Sequence, residues 1–249
     1  MIYIKRPSRP EKLTDVEAEK LTQEYKDDHK IVWNKGYIKD ALLEMTHNKC
    51  CYCESPLNEQ GAYMEIEHFH PKSLYPDEVV KWENLLPICK TCNINKSSYD
   101  TKKCNFIDPS EVNPKAYFWT KNYRYVPRNE VAKETLRVLR LNSVDRLMVK
   151  RCEISSVLQD KVGSLFQSVT AHVKNPNKLI PDVNELRALL KLVQPTENYS
   201  AVISSVLLND NNYKRAKELI KGNGYWDDSL EKLEKVAKNI AFDEEPVSK

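Results

Sequence analysis

Cys50-Cys51-Tyr52-Cys53, Glu65-Ile66-Glu67-His68-Phe69-His70-Pro71-Lys72-Ser73 and Asn84-Leu85-Leu86-Pro87-Ile88-Cys89-Lys90-Thr91-Cys92-Asn93-Ile94-Asn95-Lys96 are three runs of one short stretch that decides the reading of this chain. Its two Cys-x-x-Cys pairs, Cys50/Cys53 and Cys89/Cys92, supply four thiolates at the spacing of a tetrahedral structural zinc site. Residues 54–88 separate the pairs, more chain than a simple zinc ribbon needs, so something is inserted between the knuckles. The insert carries a carboxylate, two histidines and an asparagine. These side chains can hold a hard cation and activate a water. A Glu-His pair alone would be ordinary surface; between zinc knuckles and followed by Asn84 and Asn93 it reads as chemistry.

Outside this stretch the chain is unremarkable in composition. Of its 249 residues, 41% are hydrophobic and 30% charged, and only 5 are glycine, which favours a helical globular protein with few flexible linkers. The 39 basic and 36 acidic residues give a net charge of +3, too balanced to be a nucleic-acid footprint, so any such binding must come from local patches. Seven cysteines and no signal-peptide pattern point to a reducing, cytoplasmic setting, and no run approaches a membrane span. Cys51 is expected to point away from the metal, and Cys104 and Cys152 to be ordinary small apolar residues.

The expected fold class is α+β, mainly α, with a small metal finger embedded in helices. Three regions are expected: an N-terminal arm and helices over 1–46, the metal module with a following hairpin over 47–128, and a helical region over 129–249. Thr14 caps a helix running to about Asp28. A second helix spans Trp33 to Met45 and buries Ile38, Ala41 and Leu42. Glu65–Phe69 and Leu85–Ile88 read as strands, and Asn93 as a helix start. Tyr117–Val126 reads as a hairpin or an extended pair turning near Lys121-Asn122. Ser143 caps a long helix whose buried stripe is Leu147, Ile154, Leu158, Leu165 and Val169. Pro176, Pro181 and Pro195 punctuate further helices, about Leu186–Leu192, Ala201–Leu208, Tyr213–Ile220 and Ser229–Ile240. The tail after Asp243 reads as frayed.

Cys-x-x-Cys, then Glu67-His68-x-x-Pro71-Lys72-Ser73, then Asn84 with Asn93 nine residues on, resembles the zinc-containing HNH endonuclease motif. That resemblance implies a ββα-metal finger. It makes His68 the general base, Glu67 a ligand of a catalytic Mg²⁺ or Mn²⁺, and Asn84 the residue that holds the loop. Asn93 becomes the final ligand, where other members carry His. Glu67 stands where Asp is commoner. The roles agree with the chemistry, because a neutral imidazole of pKa about 6.5 can take a proton from water. A carboxylate and an amide oxygen also favour Mg²⁺ or Mn²⁺ over zinc. Adjacent Glu67 and His68 would face opposite sides of a regular strand, so a bend is expected there. Lys72 and Lys96 are candidate phosphate contacts, with a solvated lysine as the equal alternative; His70 could contact phosphate or assist the metal, but strand alternation favours a packing or solvent role for it. His29, His47 and His172 lie outside the motif and are expected to be structural or exposed.

The resemblance extends to Met1-Ile-Tyr-Ile-Lys-Arg-Pro, to Trp33-Asn-Lys and to the helical half, which are similar to the PtuB family. These are HNH components of the Septu anti-phage system that also occur as effectors with some retrons. Membership implies an SMC-like or ABC-like ATPase partner of the PtuA type and, in retron settings, a reverse transcriptase with its RNA–DNA. DNA is the default substrate; RNA, including tRNA, is the alternative for retron-linked members. Two readings of other classes remain: a zinc-finger module that binds nucleic acid without catalysis, and an adaptor for the ATPase. The intact Glu67, His68, Asn84 and Asn93 set argues against the first, which needs none of them; the second would explain the helical half but not the finger.

Overall fold

A computed structural model describes residues 1–57 and 63–246. The helix α1 (Asp15–Asp28) begins as the sequence predicts: Thr14 Oγ1 accepts the Glu17 N–H, with Asp15 and Glu17 in the first turn. It buries Leu21 and Tyr25. Helix α2 (Gly36–Met45) starts three residues later than expected, since Lys35 is extended. Trp33 instead stands edge-on to Tyr25, outside any helix. Ile38 and Leu42 are buried in α2, Ala41 only half-buried.

Strands β1 (Met64–His68) and β2 (Leu85–Cys89) pair antiparallel, with Glu65 opposite Ile88, Glu67 opposite Leu86 and His68 opposite Leu85. Pro87 has no N–H to give to a ladder, and it is tolerated here because the sheet has only two strands. Its carbonyl accepts the Cys51 N–H at 3.0 Å, which ties the first knuckle to β2. Helix α3 (Lys90–Lys96) begins three residues before Asn93, with Cys89 as its N-cap. The second knuckle therefore starts the helix, and Asn93 lies within it. At 3.6 residues per turn, Cys89, Cys92, Asn93 and Lys96 share one face. Arg6, in the basic arm, donates to the Trp82 and Leu85 carbonyls and to Ser110 Oγ, each at 2.8 Å, so it pins the entry to β2.

The described residues fall into two compact units, one holding Met1–Tyr117 with Pro127–Leu141, the other Phe118–Val126 with the chain from Asn142. These boundaries differ from the 47–128 and 129–249 division expected from sequence texture. Helix α4 (Glu130–Leu139) belongs to the first unit because it packs on α3: Leu139 O accepts from Asn95 and Glu134 accepts from the Tyr99 hydroxyl. The hairpin β3 (Phe118–Lys121) and β4 (Arg124–Pro127) turns through Asn122 and Tyr123, both at positive φ, as a two-residue hairpin requires.

In the second unit α5 (Val149–His172) packs against α6 (Pro176–Lys191), α7 (Ser200–Asn209) and α8 (Asn211–Gly222), while α9 (Asp228–Ile240) packs on α6 and α7. Ser143 makes no side-chain cap. Its carbonyl takes the Leu147 and Met148 N–H groups, and a π-helical turn, Val144–Met148, leads into α5. The buried stripe of α5 runs through Arg151, Ser155, Leu158, Val162, Leu165 and Val169, so Ile154 lies one position off it and is exposed. Pro181 does not end a helix: α6 runs through it, and the carbonyl it leaves without an N–H belongs to exposed Asn177 in the first turn. Of the tail read as frayed, Glu244 bridges to Thr120, while 247–249 lie outside the described residues. Cys104 and Cys152, read as ordinary small apolar residues, are exposed. Among the described residues no helix is long and apolar enough to cross a membrane.

Candidate active site and metal centre

The Sγ atoms of Cys50, Cys53, Cys89 and Cys92 all lie within 4.8 Å of one another. Cys53 and Cys89 are 3.7 Å apart, close to the edge of about 3.8 Å of a tetrahedron with zinc–sulfur bonds of about 2.3 Å. Cys51 is not one of the four clustered sulfurs, although its buried thiol hydrogen-bonds that of Cys50. Hydrogen bonds from Cys50, Cys89 and Cys92 push the Cys53 thiol well down, while burial pushes Cys50 well up. Four crowded sulfurs favour one thiolate and resist the next. A divalent cation removes that resistance, so the donor set fits zinc.

One turn away, Glu67, His68, Pro71, Lys72, Asn93 and Ser97 border a cavity of about 330 Å³. Glu67 and His68 both reach it because β1 ends at His68 and the chain bends at Phe69 and His70. His68 Nε2 lies 2.8 Å from the Val79 carbonyl. A carbonyl only accepts, so Nε2 carries the proton and Nδ1 keeps a lone pair. The ring stands edge-on to Trp33, 4.8 Å between centroids. Burial, then Lys72, lowers the His68 pKa to about 3, far from the ordinary value assumed from sequence.

Glu67 is buried, and burial pushes its carboxyl up against the opposing pull of Lys96, with which it forms an ion pair. Lys96 is also buried. Its ammonium donates to the His68 and Phe69 carbonyls at 3.1 and 3.0 Å, so it clamps the bend from α3 and has neither exposed role weighed from sequence, phosphate contact or solvated lysine. Lys72 is half-buried, stacks over Trp33 at 4.9 Å and borders the cavity. Asn93 donates Nδ2–H to Glu65 Oε2 at 2.6 Å.

Asn84 and His70 border a separate cavity. Asn84 Oδ1 accepts the His70 N–H at 2.6 Å, and Nδ2 donates to the His70 and Glu78 carbonyls at 3.1 and 3.0 Å. Asn84 thus holds both ends of the loop whose Val79 carbonyl fixes His68. The Thr101 hydroxyl gives its proton to Phe69 O, so at 2.8 Å it must accept from His70 Nδ1. Burial lowers the His70 pKa. The sequence reading missed Trp33 and Glu65 as members of the site. Glu65 had a signal, since alternation along a strand puts it on the Glu67 face.

Residues 50–98 match the HNH endonuclease family. The chain is similar to a Septu protein PtuB of Bacillus thuringiensis, 40% identical over 94% of this chain and 92% of that protein. It belongs to the PtuB family. A Septu protein PtuB of Bacillus mycoides (strain KBAB4) is 39% identical over a shorter part, 22% of this chain and 23% of the relative. This PtuB-family chain is an HNH endonuclease of α+β, mainly α fold, with its finger set in helices.

Proposed function

We propose that the chain hydrolyses phosphodiester bonds in nucleic acid at the cavity between β1 and α3, with His68 as the general base. The observation that carries this reading is the Nε2–Val79 hydrogen bond, which leaves Nδ1 as the unprotonated nitrogen of a ring bordering the cavity shared with Glu67 and Asn93. Nδ1 takes a proton from water, the resulting hydroxide attacks phosphorus, and the bond to the leaving sugar oxygen breaks. Glu67 and Asn93 would hold the Mg²⁺ or Mn²⁺: a carboxylate and an amide offer oxygens suited to a hard cation, and Asn93 has its nitrogen end committed to Glu65. That cation, when bound, would supply Lewis acidity at the phosphate oxygens. Lys72 contacts phosphate at the cavity mouth. His70 contributes through the loop, since its ring is tied to Thr101 and borders the other cavity.

We read the four-cysteine zinc as structural and the setting as cytoplasmic anti-phage defence alongside a PtuA-type ATPase. Exposed Ile154, Val157 and Leu192 around a groove of about 430 Å³ in the helical unit support docking of that partner there. DNA is the proposed substrate, with RNA or tRNA cleavage in a retron setting as the alternative. Labelled duplex DNA and tRNA, each incubated with Mg²⁺ or Mn²⁺ and with or without the ATPase, test the assignment. Scission of DNA supports it, scission of tRNA alone favours the alternative, and cleavage of neither under any combination rejects it.

A further inference from the structure

Strand alternation puts Glu65 and Glu67 on one face of β1, and α3 carries Asn93 and Lys96 on its matching face. Lys96 pairs with Glu67, and Asn93 pairs with Glu65 through a 2.6 Å hydrogen bond from Nδ2 to Oε2. Glu65 is half-buried and does not border the cavity that Asn93 borders. An amide has a donor end and an acceptor end, whereas a carboxylate only accepts. With the amide flipped, Oδ1 would face a carboxylate oxygen at hydrogen-bond distance, and a charge-assisted bond would become a repulsion.

We propose that Glu65 is a positioning residue that holds Asn93 by its amide nitrogen, so that the amide oxygen is the atom Asn93 presents to a divalent cation in the cavity shared with Glu67 and His68. This rests on the proposed role of Asn93 as a cation ligand. It also gives a reason for asparagine at this position: aspartate at 93 would set two carboxylates against each other across the same contact. Groups that orient a metal ligand from behind commonly change affinity by about 10- to 100-fold when removed.

Glutamine at position 65 separates orientation from tethering. It keeps the length and can bond Asn93 in either amide orientation, so a mere strand-to-helix tether survives while the selection of one orientation is lost. Mn²⁺ binding to the zinc-loaded full chain, followed by the electron paramagnetic resonance of free Mn²⁺ without nucleic acid, reads this directly. Glu65→Gln and Glu65→Ala are both expected to weaken binding by about tenfold or more, with zinc content unchanged. In an Asn93→Ala background, Glu65→Gln is expected to add no further loss, because it acts through Asn93. Wild-type affinity in Glu65→Gln overturns the proposal, as does an undiminished loss in the Asn93→Ala background, which would mark a general charge effect. Mn²⁺ binding that survives Asn93→Ala and Glu67→Gln alike removes the cation reading itself, and the proposal with it.

Discussion

His68 is the residue where burial and chemistry conflict most sharply. Its imidazole is neutral at any physiological pH, because burial and Lys72 hold its pKa at about 3. It is therefore always in the basic form but is a weak proton acceptor in the free protein. A phosphodiester anion entering the cavity brings an opposite charge, which favours the imidazolium and raises the pKa. The free enzyme governs kcat/KM and the complex governs kcat, so the acid limb of kcat/KM is expected below pH 6.5 and that of kcat at a higher pH than it. A kcat/KM limb at or above 6.5 contradicts this account. Lys96 faces the reverse problem, a buried cation balanced by Glu67. Lys96→Met leaves that carboxylate buried without its partner, and removing one member of such a pair costs about 3–5 kcal/mol. Thermal denaturation of the zinc-loaded protein should show a clearly lowered midpoint, and an unchanged midpoint would mean the pair stabilises nothing.

At the scale of the element, the finger is two strands and a helix held by sulfur at one end and by Asn84 at the other. Cys50→Ser or Cys92→Ser is expected to lose zinc and unfold the finger, since a structural zinc contributes folding free energy on the order of 10 kcal/mol. Retention of stoichiometric zinc in the double variant would refute the four-sulfur assignment. Asn84→Ala removes three hydrogen bonds from the loop that aims His68, together about 2–4 kcal/mol at ordinary values. Cleavage should fall at least tenfold with zinc intact; an unaffected rate would free the loop from any part in aiming the base. This finger was largely legible in the sequence because its chemistry sets its spacing: cysteine pairs fix the knuckles, and alternation marks the two strands; the helix was read only from Asn93, so the face it shares with Cys92 was not. Trp33 was not legible, because its contact with His68 crosses from a segment far away in sequence. Nor was the fate of Lys96, since exposed and buried lysines look alike until the fold supplies a carboxylate.

At the scale of the whole molecule, the texture change after Arg128 suggested a boundary that the packing does not respect. Helix α4 reads like the helices that follow it, yet Asn95 and Tyr99 bind it to the finger unit, and the hairpin 118–126 clusters with the later chain. Helix count and order in the later chain were readable from period and proline placement; Ile154 was misplaced because a stripe chosen from apolar residues alone ignored buried Arg151 and Ser155. Truncation near Arg128 would therefore strip α4 from the finger unit, and docking is better probed in the full chain. Ile154→Asp with Val157→Asp is expected to abolish co-purification with the ATPase while zinc content and helicity stay unchanged. Undiminished co-purification would move the interface off this groove.

Two metals with separate duties, as proposed for this one short stretch, are tested most directly by a single cleavage measurement with zinc assayed in parallel. The zinc-loaded full chain, with its ATPase, is given labelled DNA and tRNA and Mg²⁺, then brief EDTA, then Mg²⁺ again. The expected result is cleavage that stops with EDTA and returns with Mg²⁺ while zinc stays bound throughout, and that His68→Ala abolishes without loss of zinc. Cleavage that persists in His68→Ala, or that continues after EDTA with only zinc present, would contradict it.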